Sequence, residues 1–400
     1  MSPPLAWLLT LDAPDDPQPF ANHLRAVEMA RALGRLGFAL QTIAPATGAS
    51  SQRWHELEGA QHIEHSVAPA VPWRPPGWDL LWFRCVVVPW LTRLRQQHRP
   101  RWIFTNAAAY APVVAQCAGA GGPERPVVHV DVMGLPSLER AGLRRGTRAV
   151  LARRFLLRDE RTMFRAADVI TTVNHRHART ITELFAPRVA PAVIRDACDP
   201  MDVAPRPSID LEAMGVRSGT TVVAFLGQLI HGRLDDLLRA MERLPSSLPV
   251  QALIIGDGPD RPGYERRVAE SDRLRGRVVF AGFQERRVGL AMVAGSAIAF
   301  SDCWSAAGFP FKLFEYMALG RAIVVEGKEQ IREVLSDGED AFFYRGADAL
   351  AAAITSLVEN PPRRTRLGLA ARARFEADHT LAQRRRELDA LLAQQAARLG

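Results

Sequence analysis

The chain alternates short apolar runs with longer segments in which apolar residues recur every three or four positions. "LAWLLTL" at 5–11 is apolar on both faces. After the polar, proline-rich stretch "DAPDDPQPFANH", the positions Ala26, Met29, Ala30, Leu33 and Leu36 return at helical spacing, and "GF" leads into "ALQTIAP". "DLLWFR", "RWIFTN", "PVVHVDV" and "DVITTVN" read as further strands. Runs that are apolar on both faces and separated by helices are what a parallel sheet covered on both sides requires.

The alternation breaks at "DACDPMDVAPRPSIDLEAMGVRSG" (196–219), rich in proline, aspartate and glycine, which reads as a linker between domains. It then restarts: "TTVVAFLG", a helix through "LDDLLRAMERL", "VQALIIGDGP", a helix through "YERRVAESDRL", then "RVVFAGF", "AIAFSD" and "RAIVV". A last helix, "HTLAQRRRELDALLAQQAARLG", follows. The pattern predicts an α/β protein of two doubly wound, Rossmann-like domains facing each other across a cleft, residues 1–200 and 201–375, with a helix over 376–400. Such sheets bind ligands outside the carboxyl ends of their strands.

Composition narrows the function classes. The 400 residues, 48% hydrophobic and 24% charged, describe a globular protein large enough for two cores. No apolar run approaches the ~18 residues that span a bilayer. "MSPPLAWLLTLDAP" lacks a basic leader and reads as a first strand rather than an export signal. Cys85, Cys117, Cys198 and Cys303 form no C-x-x-C pair, which fits reduced, cytosolic thiols and excludes the common zinc spacings. A net charge of +8 suggests an anionic partner, with a merely basic solvated surface equally open. Arginines concentrate between Arg140 and Arg165 with few aromatics between them, which argues against a nucleic-acid platform and leaves a stretch skimming an anionic membrane open.

One segment carries most of the chemistry. "CWSAAGFP" reads as a loop after a strand, and "FKLFEYMALG" as one helix closed by Gly320. Lys312 and Glu315 then lie one turn apart near the helix start, where unsatisfied N–H groups favour a phosphate. Lys312 adds charge there, and Glu315 offers two acceptors to the vicinal hydroxyls of a ribose. A plain i,i+3 surface ion pair is the commoner explanation of such a pair.

The ordered set "FLGQL…LDDLLRAM", "LIIGDGP", "VVFAGF", "FPFKLFEYMALGRAIVV" and "IREVLSDGEDAFFY" resembles the retaining glycosyltransferases of family 4, which have the GT-B fold. The resemblance implies transfer of a sugar from a nucleoside-diphosphate sugar, with neither metal nor other cofactor. Glu315 matches the second glutamate of the family's E-x7-E motif, a ribose ligand in relatives. Gly308, Phe309, Phe311 and Lys312 match the loop and helix start beside the donor's sugar and diphosphate; Pro310 has no N–H to offer. Gly227, Gln228 and Arg233 fall where relatives grip the diphosphate, Arg233 as a cation and Gln228 as a neutral donor. Gly256, Gly258, Phe283 and Gln284 match the region lining the base.

The pattern is departed from in two places: Ala307 stands where the motif's first glutamate would be, and no glycine-rich loop follows the first strand. The resemblance further implies that the first domain holds the acceptor, a glycan, a lipid-linked sugar or a small molecule, and that the final helix crosses back onto that domain. Asp131, at the carboxyl end of "PVVHVDV", is the candidate beside the reacting centre, alongside Arg233 and Lys312 as catalytic residues. A helix-capping or loop-ordering part for Asp131 stays equally open. His129, on the same strand face, is a candidate whose commoner role is a hydrogen-bonded core residue. Asn22 and His23 complete the acceptor side. The expected protein is a cytoplasmic enzyme, free or peripheral at the inner membrane face. Alternatives are a nucleotide-sugar epimerase of the same fold and a catalytically silent binding subunit.

Overall fold

A computed structural model describes residues 3–10, 21–44, 63–67, 83–119, 125–139, 147–200, 209–230, 232–303 and 309–397. In the first half the strands are β1 (Leu5–Leu9), β2 (Ala39–Ala44), β3 (Ile63–Val67), β4 (Trp102–Thr105), β5 (Val127–Val132), β6 (Val169–Thr172) and β7 (Ala192–Val193). The helices between them are α1 (Ala21–Arg35), α2 (Val88–His98), α3 (Ala111–Ala118), α4 (Pro136–Glu139), α5 (Thr147–Ala166) and α6 (His175–Phe185). The second half holds β8 (Thr221–Leu226), α7 (Asp235–Arg243), β9 (Val250–Ile255), α8 (Arg261–Glu270), β10 (Val278–Gly282), α9 (Arg286–Gly295), β11 (Ile298–Ser301), α10 (Lys312–Ala318), β12 (Ala322–Glu326), α11 (Glu329–Arg332) and β13 (Ala341–Tyr344). Three helices follow: α12 (Gly346–Glu359), α13 (Pro361–Asp378) and α14 (Leu381–Ala396).

The chain forms two compact units, one of residues 1–195 with 385–400, the other of residues 196–384. In the first, the sheet order is β3-β2-β1-β4-β5-β6-β7, and every pairing is parallel. Alternate residues of β1 feed opposite faces: Trp7 and Leu9 enter the core built with α3 and α5, Ala6 and Leu8 the core built with α1. Leu388 and Leu392 of α14 belong to that second core. Salt bridges flank them: Arg385 forks onto Glu28 at 2.6 and 3.0 Å, and Arg35 reaches Asp389 at 2.7 Å. Glu28 is 4% exposed and its partners Arg31 and Arg385 are half-open, so Glu28→Ala is expected to cost about 1–2 kcal/mol, below the full value of a buried charged hydrogen bond. Urea denaturation checks this; an unchanged midpoint means the leucines and the Arg35–Asp389 bridge hold α14 without Glu28.

One region differs from the sequence expectation. "DLLWFR" was expected as a strand; residues 79–82 lie outside the described set, and Phe83–Val87 is a π-helical turn running into α2. Pro89, the second residue of α2, has no N–H to give a sheet ladder, and the turn runs into the helix at helical angles, with Val87 at φ −71° and ψ −44°. The arginine-rich run from 147 onward is one helix, α5, whose Met163, Phe164 and Ala166 are buried in the first core while Arg153, Arg154, Arg158 and Arg161 face solvent. Among the described residues no helix is long and apolar enough to cross a membrane.

The second unit's sheet runs β10-β9-β8-β11-β12-β13, again all parallel. Apolar residues on both its faces are buried, those of β8 dividing between Val223 and Phe225 on one side and Val222 and Ala224 on the other. Strand order reverses between β8 and β11, so the chain leaves their carboxyl ends in opposite directions and opens a crevice there.

Candidate functional site

The loops after β8, β9 and β10 are tied edge to edge. Gly227 N donates to Ile255 O (3.0 Å), Leu229 N to Asp257 O (2.9 Å) and Gly256 N to Gly282 O (2.8 Å). This contact explains two of the glycines in "GDGP". Gly256 sits at φ 139°, and a Cβ there would lie 2.0 Å from the Gly227 carbonyl; one on Gly258 would lie 2.4 Å from the Leu229 carbonyl. The glycines let the loop after β9 brace the loop after β8, which carries Gln228 and Arg233.

Arg233 meets a carboxylate from the other side of the strand-order reversal. Its Nε and Nη2 donate to Asp302 Oδ2 and Oδ1 at 2.8 and 2.9 Å. Asp302 follows β11 directly. The Lys312 ammonium donates to Asp302 Oδ1 at 3.2 Å and lies 3.9 Å from the Phe225 ring centroid, a cation–π distance. Gln228 is exposed, and its carbonyl accepts weakly from Arg233 Nη1 at 3.4 Å. Lys312 is 8% and Asp302 7% exposed.

Burial penalises the ammonium and pushes Lys312 down from 10.5 to about 7, against the pull of Asp302 and with a push from Arg233. Burial alone would raise the Asp302 carboxyl, yet Lys312 and Arg233 hold it below its ordinary value. The unfolded chain therefore binds a proton at Lys312 that the native state sheds between about 7 and 10.5. The resulting penalty is full below that window and relieved as pH rises through it. An anion bound beside Lys312 would restore the proton.

Lys312 and Glu315 do not form the i,i+3 pair that was one explanation of their spacing. Glu315, 5% exposed, accepts from Arg286 Nε at 3.0 Å and Nη2 at 2.8 Å. The Tyr316 hydroxyl accepts from Leu226 N at 3.0 Å, pinning α10 to the end of β8. The helix is shorter than expected, starting at Lys312, and the amides of Leu313 and Phe314 already donate to Pro310 and Phe311. The positive character of this end thus comes from side chains more than from the helix dipole. Gly320 closes it as expected, at φ 63° with Arg321 N bonded to Tyr316 O and Gly320 N to Met317 O, a Schellman motif.

Phe309 and Phe311 pack on Phe314, with ring centroids 4.9 and 6.5 Å away. Phe283 projects into solvent at 57% exposure, and Gln284 donates to Ala281 O at 2.7 Å. Gly308 and Ala307 lie outside the described residues. The second unit thus brings together Gly227, Gln228, Arg233 and Lys312, with Glu315 one turn further along α10. Asp302 and Arg286, which hold the cations and the glutamate, were not singled out from sequence. The available signal for Asp302 was its place one residue past a strand's carboxyl end.

In the first unit Asp131 and His129 are both buried and hydrogen-bonded. Asp131 is 2% exposed, and Arg25 of α1 grips it through Nε at 2.7 Å and Nη2 at 2.6 Å, while Thr171 donates to Oδ1 at 2.6 Å. Burial would raise its pKa, but Arg25 and Thr171 bring it down to about 2. A carboxylate so enclosed ties β5, β6 and α1 together, an ordering part of the kind the sequence had left open for Asp131. His129 is fully buried against Trp102 and Phe104, with Nε2 2.9 Å from Thr171 Oγ1, and desolvation lowers it to about 4. It is a neutral core residue. Asn22 and His23 lie in the first turn of α1. Among the described residues no group of three or more His, Cys, Asp or Glu could hold a metal ion.

Residues 220–360 match the family described as "Glycosyl transferases group 1". The matched residues all lie within the second unit. Over 132 residues the chain is 33% identical to 2-deoxystreptamine glucosyltransferase of Streptomyces kanamyceticus, a match that spans 31% of this chain and 34% of that enzyme. Whole-chain likeness comes from solved structures. Sucrose-phosphate synthase from Thermosynechococcus elongatus superposes with a TM-score of 0.79 at 16% identity, over 98% of this chain and 99% of that one. HepE of Anabaena, solved with UDP-glucose, superposes with a TM-score of 0.73 at 16% identity, over 97% of this chain and 99% of that one. The chain shares the GT-B fold of these structures, and the Arg233–Asp302–Lys312 cluster lies within the residues matched to the family.

Proposed function

We propose that this protein is a retaining glycosyltransferase that takes a sugar from a nucleoside-diphosphate sugar bound by the second unit and delivers it to an acceptor selected by the first. The observation that carries the reading is the pairing of Arg233 and Lys312 where strand order reverses, with the Glu315 carboxylate one helical turn beyond. In this reading the two cations take the diphosphate, Glu315 takes the ribose hydroxyls, and the loops after β9 and β10 with Phe283 line the base. Charge growing on the leaving diphosphate is met by Arg233 and Lys312, so the chemistry asks for no metal. The complex of HepE with UDP-glucose makes uridine diphosphate the first nucleotide to try. The glucosyltransferase relative favours a hexose donor and a small polar acceptor.

Glu315→Ala removes a carboxylate expected to accept two charge-assisted hydrogen bonds from the ribose. Such a loss of about 1.5–3 kcal/mol weakens nucleotide binding about 10- to 100-fold. The loss should be shared by uridine and UDP, because it sits on the ribose. Calorimetric titration of both ligands checks this, and unchanged affinity removes Glu315 from the site.

A further inference from the structure

We propose that Asp302 is a positioning residue of the diphosphate site, pre-pairing Arg233 and Lys312 so that an incoming diphosphate meets two charged, oriented cations. The inference rests on the donor-site reading above and goes beyond it, to a residue that itself carries the wrong charge for the ligand.

The geometry is specific. Asp302 Oδ2 takes Arg233 Nε, and Oδ1 takes both Arg233 Nη2 and Lys312 Nζ, so one oxygen bridges a guanidinium and an ammonium. The two-point grip fixes the plane of the guanidinium, and the bridge fixes its distance from the ammonium. Among the described residues no other carboxylate pairs with either cation. A guanidinium carries five N–H donors and an ammonium three. Asp302 and the Gln228 carbonyl use about half of them, and among the described residues nothing accepts the rest. The arrangement is a pair of cations with donors in reserve.

Electrostatics gives the carboxylate its purpose. Lys312 sits between the Phe225 ring, Arg233, Asp302 and Cys303. Burial pushes the Cys303 thiol up to about 12, so it is neutral. Burial likewise raises the hydroxyls of Tyr264, Tyr316 and Tyr344, which feel Asp302, and they stay protonated. Asp302 is therefore the anion that offsets burial and holds the pKa of Lys312 up to about 7 beside an arginine. Without it, desolvation and Arg233 both favour loss of the Lys312 proton, and the site falls back to one loosely held cation. The diphosphate gains more from two fixed cations than it loses to one carboxylate whose charge they already share.

The test is calorimetric titration of the full chain with UDP from about pH 5.5 to about pH 9, for wild type, Asp302→Asn and Lys312→Arg. Taking the variant-to-wild-type ratio of affinities at each pH cancels the ligand's own ionisation. For Asp302→Asn the expected ratio is within about threefold of unity at about pH 5.5 and falls at least about tenfold by about pH 8, because its lysine titrates at lower pH. A ratio that is constant with pH overturns the proposal, since a merely structural residue would weaken binding uniformly. Lys312→Arg, whose group cannot titrate, identifies the titrating group: its ratio should rise at least about threefold between about pH 6 and about pH 8.5. Should Asp302→Asn not fold, Asp302→Ser takes its place, and a ratio constant with pH in that variant overturns the proposal. Wild type that binds none of UDP, ADP, GDP or dTDP defeats the donor-site reading itself, and this inference with it.

Discussion

Asp131→Ala is expected to destabilise the first unit by about 3–5 kcal/mol, the usual cost of breaking a buried ion pair from one side. Arg25 is as deeply buried as its partner. Besides holding Asp131 it donates to the Ile194 carbonyl at 2.9 Å, so the carboxylate anchors a side chain that joins α1 to the segment following β7. Truncating Asp131 removes both oxygens that grip a guanidinium at 2% exposure. Replacing both residues by apolar ones of similar volume should recover most of the loss, since the pair repays little beyond its own desolvation. Chemical denaturation of the two variants separates these outcomes. A single variant within about 1 kcal/mol of wild type would mean that the cavity hydrates and solvates Arg25. The pH dependence follows from the same pair. A carboxyl lowered from 3.8 to about 2 contributes stability that is present above its unfolded value and lost as pH falls through that window.

Arg233→Ala is expected to lower glycosyl transfer about 10²- to 10³-fold, the range seen when one preorganised donor to a developing oxyanion is removed. The guanidinium is fixed before any ligand arrives, so it would give its full interaction as negative charge grows on the leaving diphosphate. Lys312 and Asp302 still pair in the variant, so the fold should tolerate the change. The informative measurement is kcat per folded enzyme, with folded fraction taken from the melting curve. A drop in melting temperature with kcat intact would make Arg233 a strut for Asp302 alone.

The alternation of apolar runs and helical spacing gave the parallel α/β architecture, because strands buried on both faces leave long apolar stretches that surface loops do not. β13 was less legible. "AFFY" is four residues long and sits directly after the turn "SDGED", so its apolar content is too short to stand apart from a loop. Helices α12 and α13 follow each other with only Asn360 between them and blur into one run. At the site, Lys312 and Glu315 were visible because charged residues in an otherwise apolar helix demand partners. Their partners were not, since Asp302 and Arg286 come from other elements and their meeting depends on strand order rather than spacing. The same limit left the reading of Asp131 open. A polar residue at a strand's carboxyl end is equally suited to a ligand and to an arginine, and only the placement of α1 decides between them.

The return of α14 to the first unit bears on how the protein is made. All seven strands of that unit have been synthesised by residue 193, yet Leu388 and Leu392 complete the apolar layer over α1 and β1. A growing chain on the ribosome must carry this half with an open apolar seam while the whole second unit is translated. Early folding of the amino-terminal half therefore yields a sticky intermediate, a candidate for chaperone holding, whose final closure waits for the last helix to emerge.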